Sequence, residues 1–409
     1  MRAGFGKMEI TPRLGVELTG YGYYLERRAT GVIDPLYARA LALEADEKIL
    51  LIISCDLLGL NKGLVQQVKD VLQKEYGVQP EHVMMVSIHT HTGPSMKYHE
   101  GCGEIDADTV QGMPALITEA ARSAIRDLAP VEGITHSIAP IEGKHAYNRT
   151  TENGPVDDQV RSFHFMRWGA PEIALVSYAC HAVSRGRIDQ ISADYPGQVC
   201  RILEEKGLLP IYINGLCGDI DPVPCEDAER PAHLLAFAQA ICQAENQYPS
   251  ALPLTLQGGR LQMELHLMKV TRNDIQETAR RAKERPEVIA GSRKVAAIWE
   301  QEMLDRFDSL SPREDIGIAY LKIGGVIITA LPFEGFTLTG QLIRKELGDS
   351  RAITLGCAEE LLGYLPTRDD IARGAYAALE STFLYKRLPG IPGEAERIGE
   401  EAGRLLANL

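Results

Sequence analysis

A chain of 409 residues that is 45% hydrophobic and 24% charged has the composition of a folded globular protein, which excludes a disordered polymer. Its formal net charge of −13 excludes nucleic acid and anionic membrane as favoured partners, because both call for a basic face. The opening Met1–Lys7 lacks the apolar core of a secretory leader, no apolar run reaches about 18 residues, and the eight cysteines contain no Cys-x-x-Cys pair. The expectation is a cytoplasmic protein with reduced thiols and no stable membrane association.

In chain order, short extended pieces broken by Pro12, Gly20 and Gly22 come first. Leu36–Leu43 and Lys48–Ile53 read as a hairpin turning at Ala45-Asp46-Glu47, and the second strand ends at Cys55-Asp56. Asn61 reads as the N-cap of a helix reaching Lys74. An apolar run, Val83 to Ile88, leads into His89-Thr90-His91-Thr92-Gly93-Pro94, where Gly and Pro stop it. A helix over about 107–125 follows. A second half begins at Ile138–Glu142, with the polar loop Tyr147-Asn148-Arg149-Thr150 and a half-exposed, alternating strand Arg161–Arg167. A buried strand, Ile173–Tyr178, ends at Cys180-His181, and Asp194 opens a helix through Glu205. Leu209–Ile213 is a strand running into Asn214-Gly215-Leu216-Cys217-Gly218-Asp219-Ile220-Asp221-Pro222, with a helix from Pro231 to Gln247 beyond. Residues 252–272 read as further strands. The charged segment 273–308 has a helical pattern and reads as a solvent-facing excursion, a lid or an oligomer contact. Gly325–Leu331 is a strand ending at Pro332-Phe333-Glu334-Gly335, followed by a helix over Thr337–Leu347, a strand over Arg351–Leu355, and an amphipathic helix over Pro392–Leu409.

Strands alternating with helices predict an α/β fold of mixed β-sheets flanked by helices. In such folds ligands bind beyond the carboxyl ends of the strands. Those ends carry Asp56, His89 with His91, His181, Asp219 with Asp221, and Glu334. His89 and His91 end the buried strand that starts at Val83, and side chains two apart on a strand point to the same face, so both imidazoles project side by side from one edge of a sheet. In a chain with ten histidines that spacing suits a metal with an open position. His181, after another buried strand, reads as a third ligand. Glu334 reads as a ligand, a base or a helix-start carboxylate. Asp219 and Asp221 are turn residues or functional carboxylates. Asn148 and Arg149 bind a substrate carbonyl or carboxylate, or are solvated. Cys180 and Cys217 stand near these residues by position alone. No Gly-x-Ser-x-Gly elbow, Walker loop or dinucleotide fingerprint accompanies them.

These motifs resemble the neutral/alkaline non-lysosomal ceramidase family. The resemblance runs through Gly4-Phe5-Gly6, Ile10-Thr11-Pro12, Gly20-Tyr21, Ser54-Cys55-Asp56 and His89-Thr90-His91-Thr92-Gly93-Pro94. It continues in Asn148-Arg149, Ala179-Cys180-His181, Asp194, Asn214 to Pro222 and Pro332-Phe333-Glu334, and ends near Tyr364 and Tyr376–Thr382. It implies a ceramidase-like catalytic domain over residues 1–409 and one Zn2+ per chain. The implied zinc ligands are His89, His181, Glu334 and Tyr364, with His91 beside the metal. Two departures stand out. Asp221 occupies the place of the family's proposed nucleophilic serine. After Tyr364 only about 45 residues remain, too few for an immunoglobulin-like domain of roughly 100.

The expected activity is zinc-dependent hydrolysis by a metal-activated water, on an amide bond of a small polar substrate rather than ceramide. His91, Asp221, Asp219 and Arg149 are the expected catalytic groups, with Asp221 or His91 as proton shuttle. The alternatives are an ester, lactone or glycoside hydrolase of the same fold, or a homologue that binds a metal or ligand without catalysis. The expected partner is a small molecule, with a homo-oligomer as a second form.

Overall fold

The computed structural model describes residues 1–286 and 289–409. A nine-stranded mixed sheet runs in the order Leu209–Asn214, Ala170–Tyr178, Gln159–Arg167, Ala129–Pro140, Arg2–Glu9, Tyr37–Ala45, Lys48–Cys55, Val83–Ser87, with Ser250–Leu252 paired to Ala129–Pro140. Each half repeats one plan: a hairpin, then a helix, then a strand parallel to the hairpin's second arm. The first hairpin turns through Asp46 and Glu47, both in the left-handed region, as a tight two-residue turn requires.

A second sheet packs on one face of the first. Its strands are Leu256–His266, Arg313–Ile323, Val326–Ala330 and Ile353–Leu355. Leu41, Ile52, Val86, Phe163, Phe165 and Ile213 from the large sheet meet Leu321, Ile328 and Ile353 from the small one in a buried layer. Helices Lys62–Tyr76, Ala107–Arg126, Asp194–Glu205 and Arg230–Ala244 cover the other face of the large sheet. Helices Thr337–Leu347 and Glu394–Ala407 help cover the small sheet from outside. The result is four layers, the mixed sheets flanked by helices that the strand and helix alternation predicts.

Two expectations change. Gln159–Arg167 is buried on both faces rather than half-exposed. It lies between the helices and the second sheet, and each polar residue on it is paired: Arg161 with Asp157, His164 with Glu172 and Glu245, and Arg167 with Asp127. Pairing lets a charged residue sit in a buried strand. The charged segment forms two helices, Arg272–Glu284 and Ser292–Asp305, that are not wholly solvent-facing. Ile275, Ala279, Val295, Trp299 and Met303 pack inward, and Trp299 Nε1 donates to the Arg387 carbonyl at 2.9 Å. Lys294 at the base of this pair sits 3.7 Å from the Tyr24 ring centroid, so the excursion braces the N-terminal loop.

The large sheet curls until its two ends meet. Ser54 Oγ donates to the Tyr212 carbonyl at 2.6 Å. Asn214 Nδ2 donates to the carbonyls of Ile88 at 2.9 Å and Cys180 at 3.0 Å. One buried amide therefore ties the segment leading to His89 to the segment leading to His181.

Candidate active site

The strand before the paired histidines stops at Ser87, short of both His89 and His91, so a shared strand face does not place them. His89 lies in the left-handed region with φ 65°. The expected cause of their proximity is therefore replaced by another. The Ile88 amide donates to the Cys55 carbonyl and the His89 amide to the Leu57 carbonyl, which turns the chain over the end of the neighbouring strand. The Arg27 guanidinium then pins the loop, donating to the carbonyls of Thr19, His91 and Ile188. His89 and His91 end with ring centroids 4.9 Å apart, and His181 stands 4.8 Å from His89 and 5.6 Å from His91.

Glu334 completes the group from the segment just after Val326–Ala330, in a short two-stranded pairing of its own. It pairs in parallel register with Tyr364, and its Oε2 lies 3.2 Å from both His89 Nε2 and His181 Nε2. Its other oxygen accepts the Tyr385 hydroxyl at 2.5 Å. Arg149 reaches in from the polar loop: its Nη2 donates to Tyr364 Oη at 2.8 Å and lies 3.4 Å from His181 Nε2. Asp221 Oδ1 is 3.3 Å from Arg149 Nη1 and 3.7 Å from His181 Nδ1, at the mouth of a cleft. His89, His91, His181, Glu334, Arg149, Tyr364 and Asp221 are thus brought to one place.

Hydrogen bonding tests whether a metal ion fits. His89 Nδ1 lies 2.7 Å from the Leu58 carbonyl, and His181 Nδ1 lies 2.6 Å from the Cys217 carbonyl. A carbonyl only accepts, so Nδ1 carries the proton in both rings and the neutral ring turns the Nε2 lone pair to the centre. Among the described residues neither ring nitrogen of the buried His91 has a hydrogen-bond partner. Buried acceptors converging on a carboxylate repel one another unless a cation or an added proton lies between them. The ligand atoms of His89, His91 and His181 lie within 4.8 Å of one another, close enough to hold one metal ion.

An added proton is the alternative to the ion, and the protonation preferences show the pull for it. Burial and the Arg149 charge press His181 down, but Cys217 and Glu334 outweigh them and raise it to about 10. Burial acts to raise Glu334, yet the His89 and His181 rings hold it well below the usual carboxylate range. Burial, then the neighbouring His89 and His181, keep His91 well below its ordinary value. The centre therefore wants positive charge, and a divalent ion with nitrogen and oxygen ligands fits.

Other expected residues take supporting places. Asp219 is buried, and both oxygens are used: Oδ1 accepts the Thr337 amide at 2.9 Å and its hydroxyl at 3.0 Å, and Oδ2 accepts Asn148 Nδ2 at 2.8 Å. It anchors the start of the helix after Glu334 to the Arg149 loop. Asp56 lies outside the cluster, in a buried pair with Arg39 at 2.9 Å. Cys217 lies beneath the histidines through its carbonyl. Gly20, with φ 101°, passes so close that an added Cβ would stand 2.5 Å from His91 Cγ. Gly20→Ala is expected to cost about 1–3 kcal/mol of stability from the strained backbone alone, and to displace the imidazole. Urea unfolding and metal affinity, measured on the same preparation, check both effects.

Comparison with known proteins follows this geometry. Residues 1–132 match the family described as neutral/alkaline non-lysosomal ceramidase, N-terminal. The whole chain superposes on the crystal structure of neutral ceramidase from Pseudomonas aeruginosa with a TM-score of 0.77 at 16% identity, covering 100% of this chain and 74% of that one. The fold is thus that of a neutral ceramidase, and the match to the family model covers the N-terminal third. A ceramidase complexed with C2 superposes with a TM-score of 0.75 at 16% identity, covering 100% of this chain and 75% of that one. No curated protein sequence matches the chain.

Within this fold, several contributors escape sequence reading. Tyr385 binds Glu334, and its ring lies 4.7 Å from that of the buried His99. Cys357 Sγ lies 3.4 Å from His89 Nδ1. Neither has a local signal, because each reaches the centre from a loop far along the chain. Tyr385 does lie close to Tyr376–Thr382, the last segment that resembles the family.

Proposed function

We propose that the protein is a zinc-dependent hydrolase that cleaves an amide bond in a small polar substrate. The observation that carries this reading is the convergence of His89 Nε2, His181 Nε2, the unpartnered His91 ring and Glu334 Oε2 on one buried point. His89, His181 and Glu334 would hold the ion, with Tyr364 on one side and His91 on the other. Bound there, zinc lowers the pKa of a water molecule and polarises the scissile group.

The chain's own residues do the rest. The carbonyls of Leu58 and Cys217 orient the rings, so the ligand geometry is set before substrate arrives. Arg149 presents its guanidinium beside Tyr364 Oη, where it donates to the substrate carbonyl as negative charge develops on its oxygen. Asp221, with no serine at its place, holds the proton bound for the leaving nitrogen. No helix among the described residues is long and apolar enough to cross a membrane. The eight cysteines are free, which suits a reducing cytoplasm.

A panel of short-chain amides, matched esters and a short-chain ceramide, assayed with a zinc series, tests the reading. Faster turnover of the amides, with a zinc requirement, is the expected result. Ester turnover alone would move the bond; ceramide as best substrate would overturn the substrate class. Arg149→Gln should lower kcat about 100-fold with little change in KM, as loss of one charged donor to a developing oxyanion does. Steady-state kinetics on the best amide reads that split.

A further inference from the structure

The cleft beside Asp221 has a volume of about 850 Å³, room for a substrate of drug-like size. Its wall runs against the charge of the whole molecule. In a chain of net charge −13, Lys144, Arg185, Arg187 and Arg230 line it, with Asp221 and Asp227 as the only carboxylates among the described residues. Asp221 is engaged by Arg149 rather than by the wall's own cations; Asp227, 93% exposed, pairs with Arg230 through Nε at 2.7 Å, and Arg185 pairs with Asp34 at 3.3 Å.

The positive charge concentrates next to the histidines. Tyr21 lies 5.0 Å from the His91 ring. The guanidinium of Arg27 stands 4.8 Å from the Tyr21 ring centroid and that of Arg187 stands 5.9 Å from it. Two cations therefore share one phenol ring. Among the described residues neither has a carboxylate within ion-pair distance: Arg27 donates to backbone carbonyls, and Arg187 is exposed. The loop that carries Arg187 is held in place. Asp194 accepts the amides of Ser184 and Arg185, and at Gly186, φ 72°, an added Cβ would stand 2.9 Å from the Arg230 guanidinium carbon. Chain and guanidinium are packed together at Gly186, and Arg187 and Arg230 line the same cleft.

We propose that this cleft selects substrates that carry an anionic group, a carboxylate or a phosphate, a few bonds from the scissile amide, and that Arg187 and Arg230 hold it. A planar guanidinium offers paired donors to either anion, and a cleft lined by one sign of charge concentrates ligands of the other. The proposal rests on the hydrolase reading for the bond cleaved, but not for the binding of the anion.

Three probes share one acetamide and differ only beyond it: N-acetylethanolamine is neutral, N-acetylglycine carries a carboxylate, and N-acetyl-O-phosphoethanolamine carries a phosphate. One anionic probe should exceed the neutral one at least tenfold in kcat/KM, mainly through KM. The preference should shrink in 0.5 M NaCl and in Arg187→Gln combined with Arg230→Gln. The better anion names the source. Equal kcat/KM for all three, or a preference that survives the double variant, overturns the proposal. Calorimetric binding of the two anionic probes to the full chain separates the readings if none is hydrolysed. Binding lost in the double variant then supports the cleft while the hydrolase reading falls; no binding overturns the cleft.

Discussion

His181→Ala is expected to lower kcat/KM on the best amide by three or more orders of magnitude, about 4 kcal/mol of transition-state stabilisation. The ring supplies one of two Nε2 lone pairs facing Glu334 Oε2 at 3.2 Å, and its orientation is fixed from behind by the Cys217 and Ile220 carbonyls. Without it the metal keeps at most part of its shell, and Glu334 loses a neighbour that favours its charge. Stopped-time assays with zinc in excess separate weakened metal binding, which excess zinc restores, from lost chemistry, which it does not. Circular dichroism on the same samples checks the fold. A variant that keeps wild-type kcat/KM would remove His181 from the site.

Asp219→Ala is expected to destabilise the chain by about 3–4 kcal/mol, because it strands two buried donors of Thr337 and one of Asn148. It should also loosen Arg149, whose amide donates to the Asp219 carbonyl. Urea unfolding reads the first effect, and KM the second. The pH dependence follows with a definite sign. Burial, only partly offset by its hydrogen bonds, raises the Asp219 carboxyl to about 6. A folded value raised above the unfolded one contributes stability at acid pH that is lost as pH climbs through about 6. Asp219→Asn keeps an acceptor but does not titrate, so it should flatten the stability profile between about pH 4 and 6. An unaltered profile would show that the carboxylate's environment is not the one described.

Much of this arrangement was legible in the sequence. Apolar runs such as Lys48–Cys55 and Val83–Ser87 are buried on both faces, so they read as continuous hydrophobic strands. Asn61 and Asp194 mark helix starts where the structure has them. Residues at strand ends gather because parallel strands deliver their carboxyl ends to one side. Other features depend on partners distant in the chain. Gln159–Arg167 alternates like a half-exposed strand, and nothing local reveals that Glu245 and Asp127, far along the chain, pair with His164 and Arg167. The His89 turn was hidden because a left-handed histidine has no compositional mark. The basic cleft was hidden because Lys144 and Arg187, on separate loops, and Arg230, at a helix start, come from distant segments of an acidic chain.

The most direct test of the metal centre is elemental analysis of the purified full chain beside His89→Ala. About one zinc per chain, retained through dialysis and absent from the variant, is the result this account predicts. Wild-type protein that binds no zinc even after incubation with it, or a variant that binds as much as wild type, would contradict it.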